Sequence, residues 1–184
     1  GCAADRLADV APTPPAVGGV DGPFYLMVGT LAVHKNLPAP VEAVAESGRT
    51  IIVVGASGDQ QVYSTASPLS PKAVVAGRLS DAELAWLYRN AQGLIFPSKY
   101  EGFGIPPLEA QMLGCPVVSS NAASLPEVAG DAALYFAPDD TSGLLAQLAR
   151  LETEPGLAES MRQRGFANAE RFSWHDSAHR ILAS

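Results

Sequence analysis

The sequence has few cysteines, few basic residues and no long apolar run, and each shortage excludes a class of protein. Two cysteines in 184 residues, Cys2 and Cys115, argue against a disulfide framework and predict a reduced, cytoplasmic protein. No apolar stretch approaches the roughly 18 residues of a membrane span, and no signal-peptide pattern opens the chain. Peripheral association with the inner face of a membrane stays open. The net charge of -7 argues against nucleic acid as a partner.

The sequence also lacks the patterns that hold metal ions. No Asp-x-Asp motif ends an apolar run, and His175 and His179, four positions apart, have no evident third ligand. We therefore expect no metal and no cofactor. Asp139 and Asp140 are expected to begin a helix and not to form a catalytic pair. Because the overall charge is negative, an anionic ligand must be held by local donors.

The first 23 residues differ in composition from the rest of the chain. They are rich in proline, glycine and alanine and show no hydrophobic period. We interpret residues 1–23 as a linker or a truncated edge that is poorly ordered. The remaining residues, 24–184, are expected to form one domain.

Six short apolar runs follow at regular spacing. Each has four to six residues, contains β-branched or aromatic side chains, and is continuous instead of alternating. That profile is typical of strands buried on both faces of a parallel sheet. The runs are residues 24–29, 51–56, 73–77, 93–98, 116–120 and 133–136.

Helical patterns lie between several of these runs. In "SDAELAWLYRNAQG", Ser80 can cap a helix and Glu83 completes a capping box. A second helix is expected to begin near Pro106 and Pro107, and further helices are expected over 140–153, 156–171 and 173–183. Strands that alternate with helices predict an α/β fold, a doubly wound parallel sheet of Rossmann type.

In such a sheet, ligands bind outside the carboxyl ends of the strands. The segment "GTLAVHKN" follows the first predicted strand. Gly29 lets the backbone pass close to a ligand, and Lys35 with Asn36 stands where the next helix starts. A lysine beside a helix N-terminus suits a phosphate or a diphosphate.

The segment "KYEGFGIPPLEAQMLG", residues 99–114, follows the fourth predicted strand. Its glycines expose the amides at 102–105, Glu101 lies in the loop, and Glu109 is expected in the first turn of the next helix. A carboxylate can accept hydrogen bonds from two neighbouring hydroxyls of a sugar ring. Two such carboxylates with amides and a lysine between them suit a sugar–diphosphate–ribose ligand. Glu109 as a residue that only favours the helix dipole remains an alternative.

These residues resemble a known family. The stretch "PSKYEGFGIPPLEAQMLGCPVVSSNAASLPEVAGDAALYFAPDD" resembles the donor-binding region of retaining glycosyltransferases of the GT-B architecture, the "group 1" family, in which two glutamates are separated by seven residues. "LMVGTLAVHKN" is similar to the phosphate-binding loop of that family. "VVAGRLSDAELAWLYRNAQGLIFPS" and "RFSWHDSAHRIL" match its middle and its closing helix, so the resemblance covers residues 24 to 183.

The resemblance implies roles for individual residues. Glu101 is expected to contact hydroxyls of the transferred sugar, Glu109 the ribose hydroxyls, and Lys35 the diphosphate, so that Glu101 and Lys35 become the candidate catalytic residues. The turn at Arg78 and Leu79 is a weaker candidate for the nucleobase. The donor-binding residues implied are Gly29, Thr30, Lys35, Arg78, Leu79, Gly102, Phe103, Gly104, Ile105, Leu108 and Glu109.

Two features depart from the family. Thr30 stands where many relatives have an arginine, and His34 or a group from elsewhere is the candidate to compensate. Nothing in the sequence corresponds to the acceptor-binding N-terminal domain. We therefore expect the chain to bind a nucleotide sugar without transferring it, and to meet a saccharide or glycolipid acceptor only through the missing domain.

Two other functions remain as alternatives. A nucleotide-sugar epimerase or a phosphorylase would share the architecture, and a non-catalytic nucleotide-binding or structural α/β domain would explain Thr30. The donor-binding interpretation requires Glu101 and Glu109 to face one crevice. Burial of either carboxylate against a structural arginine would contradict it.

Overall fold

The computed structural model describes residues 5–17, 22–55 and 69–172. These residues form a six-stranded parallel sheet with the strand order β3-β2-β1-β4-β5-β6. All six predicted apolar runs contain a strand. The strands are β1 (Phe24–Val28), β2 (Thr50–Val54), β3 (Val74–Gly77), β4 (Gly93–Phe96), β5 (Val117–Ser120) and β6 (Ala133–Phe136).

The strand order reverses between β1 and β4. From β1 the chain moves outward to β2 and β3, then returns and builds β4, β5 and β6 on the other side. The register pairs Tyr25 with Gly93 across this central junction. In a doubly wound sheet such a reversal opens a crevice at the carboxyl ends of the two central strands. The loops that follow β1 and β4 therefore border this crevice.

Within the part of the chain that the structure describes, six α-helices connect and cover the strands. Ser80 caps its helix and forms the predicted capping box with Glu83, and Asp140 accepts a hydrogen bond from the amide of Gly143 at the start of another helix. The expected role of Asp140 as a helix-start residue is therefore confirmed. The helices are α1 (Pro38–Glu46), α2 (Asp81–Asn90), α3 (Ile105–Met112), α4 (Leu125–Ala129), α5 (Thr141–Thr153) and α6 (Leu157–Glu170).

The strands bury side chains on both faces of the sheet. Phe24 and Leu26 point to one face, against α2 and α3, whereas Tyr25 and Met27 point to the other face, against α1 and α5. This arrangement explains why the strands read as continuous apolar runs. The core accordingly consists of two apolar layers with the sheet between them.

The N-terminal segment corrects one prediction. Leu7 is fully buried in the layer that contains α2 and α3, and the amide of Thr13 donates to the carbonyl of Ala82 at 3.1 Å. Residues 5–17 therefore pack against the domain, and their interpretation as a loose linker is wrong. The helix expected over 173–183, with His175 and His179, lies outside the described residues, as does Cys2. Among the described residues, no helix is long and apolar enough to cross a membrane.

Candidate functional site

The loops after β1 and β4 lie side by side at the carboxyl edge of the sheet. The β1 loop contains a 3-10 turn, Val33–Lys35, and the amide of Lys99 in the β4 loop donates to the carbonyl of His34 at 2.8 Å. A Cβ added to Gly29 would lie 3.8 Å from Cδ of Lys35, which is ordinary contact. Because Gly29 has no side chain, it does not cover the aliphatic part of the Lys35 side chain.

Lys35 and Glu101 form an ion pair at this edge. Nζ of Lys35 lies 2.6 Å from Oε1 of Glu101, and both side chains are largely buried. The ammonium also lies 5.8 Å from the ring centroid of Phe96. The structure brings together the two residues that sequence reasoning placed in one site, although they are 66 positions apart. Each side chain satisfies the charge of the other.

The loop that contains Gly102 and Gly104 places main-chain amides beside the Lys35–Glu101 pair. Gly104 caps α3 with φ of 92°, and an added Cβ there would lie 2.8 Å from Leu125. Two of the first three positions of α3 are prolines. Within the described residues the amides at 102–105 donate to no main-chain carbonyl. Unpaired amides at a helix N-terminus are a binding place for an anion.

Glu109 does not meet the expectation of an open carboxylate. It lies in the second turn of α3 and not in the first, and only 3% of its surface is exposed. The hydroxyl of Tyr88 donates to its Oε2 at 3.0 Å, and Nε of Arg6 lies 3.5 Å from its Oε1. The expectation that both glutamates face an open crevice is therefore wrong for Glu109 in this structure, and its burial against Arg6 contradicts a site built from two carboxylates. A donor site here has to rest on Lys35, Glu101 and the amides at 102–105.

The surroundings of Glu109 set its charge. Burial raises the pKa of this carboxyl, while the hydrogen bond from Tyr88 and the charge of Arg6 lower it, with burial the largest effect. Burial and the neighbouring Glu109 together raise the pKa of Tyr88 well above its ordinary value. Tyr88 therefore remains a neutral donor. Glu109 can reach a ligand only if Arg6, whose side chain is half-exposed, moves away.

The remaining predicted residues occupy different environments. Thr30 and Arg78 are exposed, and Leu79 packs partly against the core beside α2. The side chain of Leu108 is buried, so any contact between Leu108 and a ligand must come from its main chain. Phe103 is partly exposed and meets Phe172 edge to face, with 5.7 Å between ring centroids.

Three residues that sequence reasoning did not assign to the site contribute to it. The side chain of Asn36 donates to the carbonyls of Pro97 and Pro138. The hydroxyl of Ser124 donates to the main-chain carbonyl of Glu101 at 3.0 Å. Arg6 covers Glu109. The sequence signals were weak: an asparagine before a helix and a serine before "LPE".

Other residues that could act as metal ligands or nucleophiles have structural roles. Asp139 pairs with Lys99, and no group of three potential metal ligands occurs among residues 5–17, 22–55 and 69–172. Cys115 is a free, buried cysteine, and burial raises the pKa of its thiol to about 12. None of these residues adds a second catalytic cluster.

A lysine, a carboxylate and unpaired amides at the switch point of a doubly wound sheet are typical of sites for phosphorylated ligands. Comparison with known families makes the identification specific. Residues 17–168 match the family described as glycosyl transferases group 1, and the chain belongs to this family.

Several curated relatives share this region. The chain is 43% identical over 100 residues to O-antigen chain mannosyltransferase B of Escherichia coli, a match that covers 54% of this chain and 26% of that protein. It is 34% identical over 139 residues to O-antigen chain mannosyltransferase RfbU of Salmonella typhimurium, covering 72% of this chain and 39% of that protein. The chain thus spans between about a quarter and two fifths of these relatives.

Solved structures agree with the fold. Sucrose-phosphate synthase of Thermosynechococcus elongatus superposes with a TM-score of 0.74 at 25% identity, over 97% of this chain and 49% of that one. A glycosyltransferase of Rickettsia africae gives a TM-score of 0.72 at 19% identity, over 89% of this chain and 47% of that one. The predicted α/β fold and the resemblance to GT-B glycosyltransferases are confirmed.

Proposed function

We propose that this chain is the donor-binding half of a retaining glycosyltransferase, which moves a sugar from a nucleoside diphosphate to an acceptor hydroxyl. The observation that carries the proposal is the Lys35–Glu101 pair beside the open amides at the start of α3. Lys35 and the amides bind the diphosphate, and Glu101 binds hydroxyls of the sugar. No metal ion or cofactor takes part, and the reaction takes place in the cytoplasm.

The electrostatics of this arrangement support leaving-group stabilisation. When the bond from the sugar to the diphosphate breaks, negative charge grows on the departing phosphate. A lysine and preorganised amides then interact more strongly with the transition state than with the ground state. Glu101, held by Lys35 and by the hydroxyl of Ser124, positions the sugar and does not act as a nucleophile.

We further propose that the transferred sugar is a hexose of the mannose type, because several of the curated relatives are named as mannosyltransferases. The acceptor, a saccharide or a glycolipid, is bound by a part of the protein outside these 184 residues. Residues 1–184 alone then bind the donor but do not transfer the sugar, because no acceptor is oriented and water reaches the reacting bond.

A non-catalytic nucleotide-binding or structural domain is the second candidate. The pairing of Glu109 with Tyr88 and Arg6 favours this candidate, because the carboxylate then stabilises the fold and does not bind a ligand. The donor-binding half and a purely structural domain differ in the importance of Lys35, whereas a non-catalytic nucleotide-binding domain would also use this lysine. A structural domain has no need for a cation at the switch point.

Calorimetric titration with UDP and with GDP tests the proposal. One of the two nucleotides is expected to bind saturably, and Lys35→Ala should weaken this binding at least about tenfold, because a charge-assisted contact contributes about 1.5–3 kcal/mol. Glu101→Gln should leave it unchanged or strengthen it, since the carboxylate no longer competes for Nζ of Lys35.

Lys72→Ala is the matched control. Lys72 is exposed and precedes β3, at the opposite edge of the sheet, so its removal should leave the dissociation constant unchanged. Absence of saturable binding by either nucleotide, or equal losses in the Lys35 and Lys72 variants, would favour the structural domain.

A further inference from the structure

Asn36 has a backbone conformation that few residues tolerate. Its φ of 54° and ψ of 39° lie in the left-handed region, which is accessible mainly to glycine and, with small cost, to asparagine and aspartate. The main-chain amide of Asn36 donates to the carbonyl of Val33 at 3.1 Å and closes the 3-10 turn that carries Lys35. The side chain of Asn36 therefore projects from the residue directly after Lys35, the predicted phosphate-binding lysine.

The side-chain amide of Asn36 joins three separate loops. Its Nδ2 lies 3.2 Å from the carbonyl oxygen of Pro97, which follows β4, and 2.7 Å from that of Pro138, which follows β6. Both acceptors are carbonyls, so the amide group must present its two N–H donors to them. One side chain thus fixes the positions of the loops after β1, β4 and β6.

These contacts act on the ion pair. Pro97 and Glu101 belong to the same loop, and consecutive residues of the β1 turn each contact it. The carbonyl of His34 accepts from the amide of Lys99, Lys35 pairs with Glu101, and Asn36 donates to Pro97. A change at Asn36 therefore acts on both the turn that carries Lys35 and the loop that carries Glu101.

We propose that Asn36 is a positioning residue: by bridging Pro97 and Pro138 it holds Lys35 against Glu101 in the unliganded protein. It does not touch the reacting atoms. Its nucleotide-binding consequence rests on the proposed function, whereas its effect on the ion pair does not.

The first experiment measures the ion pair without any nucleotide. The chain has three lysines, Lys35, Lys72 and Lys99, and their rates of acetylation by acetic anhydride can be read separately by mass spectrometry. Asn36→Gly keeps the left-handed backbone and removes the amide. It should raise the rate at Lys35 severalfold relative to Lys72, towards the rate in Glu101→Gln. An unchanged ratio would overturn the proposal.

Asn90→Gly is the control for the loss of an asparagine side chain. Asn90 ends α2, at the opposite edge of the sheet from the ion pair, and among the described residues its side chain donates to the carbonyl of Trp86. The ratio of the Lys35 and Lys72 rates should therefore stay at the wild-type value in this variant. A rise equal to that in Asn36→Gly would mean that general loosening, and not positioning, exposes Lys35.

The second experiment is a double-mutant cycle with the nucleotide, UDP or GDP, that binds the wild type. Asn36→Gly should weaken binding about tenfold in the wild-type background because, unlike Glu101→Gln, it also releases the turn that places Lys35 at the diphosphate. In the Lys35→Ala background it should change binding hardly at all, because the two residues act through each other. Equal effects in both backgrounds would show a structural role only. If neither nucleotide binds, the proposed function fails, while the acetylation result still decides the role of Asn36.

Discussion

At the scale of single residues, Glu109 connects folding to the site. Its carboxyl is buried, accepts a hydrogen bond from the fully buried Tyr88, and is covered by Arg6. Replacement by alanine would remove the acceptor from a buried hydroxyl as well as the charge, and such a loss costs about 1–3 kcal/mol. Glutamine keeps an acceptor for Tyr88 and is the better probe of the charge.

The raised pKa of Glu109 makes its contribution to stability depend on pH. The folded state holds the proton more tightly than the unfolded state, because burial raises the pKa above the ordinary 4.5. This contribution is fully present below the ordinary pKa and is lost as pH rises through the raised pKa.

We expect the unfolding free energy of the wild type, relative to Glu109→Gln, to fall as the pH rises from the ordinary pKa of 4.5 through the raised pKa. Urea unfolding of both proteins at several pH values in this range measures the difference. Other carboxyls, such as Glu152 with its pKa lowered by Arg49, make the unfolding free energy rise with pH. They do so equally in both proteins, so their contribution cancels in the difference. A difference that stays flat or grows with pH would contradict the environment described for Glu109.

The residue scale also shows where sequence reasoning stops. Lys35 and Glu101 each follow a predicted strand, so their meeting at one sheet edge could be expected from the fold alone. The burial of Glu109 could not, because it depends on Tyr88 from α2 and Arg6 from the N-terminal segment. Local composition made that segment look like a linker, and only its long-range contacts through Leu7 show otherwise.

At the scale of elements, the strands were predictable and two helices were not. Continuous apolar runs identify strands that are covered on both faces. The helix α4 has only five residues, and α1 contains prolines and small residues. The helix α4 is too short to show a helical period, and in α1 the period is limited to Val41, Val44 and Ala45. Burial against the sheet, and not intrinsic propensity, supplies most of the stability of such short helices.

The capping box of α2 gives a prediction at this scale. The hydroxyl of Ser80 accepts from the amide of Glu83, whose carboxylate accepts from the amide of Ser80 at 2.9 Å. The hydroxyl of Ser80 also donates to the carboxylate of Glu83 at 2.6 Å, and this hydrogen bond, followed by the one from the Ser80 amide, lowers the pKa of Glu83. Ser80→Ala should reduce the unfolding free energy by about 1 kcal/mol, the usual cost of losing an N-cap.

Ser142→Ala is the matched control in the same chemical denaturation experiment. Ser142 is exposed in the first turn of α5, where Asp140 already provides the cap. Its removal should change the unfolding free energy by less than about 0.5 kcal/mol. Equal losses in the two variants would show that the contacts of Ser80 do not stabilise α2.

At the scale of the whole molecule, a buried polar network fixes α6 to the rest of the domain. Asn168 on α6 donates to Gln111 of α3 at 2.7 Å and to the carbonyl of Val128 at 2.8 Å. Gln111 in turn donates to the carbonyl of Ala129. The network joins the late helix to α3, the helix that carries the glycine loop at its start.

Asn168→Ala should lower the unfolding free energy by about 2–3 kcal/mol, because Gln111 and Val128 would keep buried acceptors without donors. Chemical denaturation measures the loss. The exposed Asn90 provides the comparison, since Asn90→Ala should cost less than about 1 kcal/mol. Similar losses for the two variants would mean that water replaces the missing amide and that the network contributes little.

The position of Cys115 gives the molecule a built-in reporter of its own opening. This thiol is enclosed where α3 leads into β5, and the amide of Cys115 is bonded to Ala110. An alkylating reagent can reach it only while that corner of the sheet is separated from its helices. The alkylation rate of Cys115, read separately from that of Cys2 by mass spectrometry, therefore records how often the sheet and its helices separate at this point.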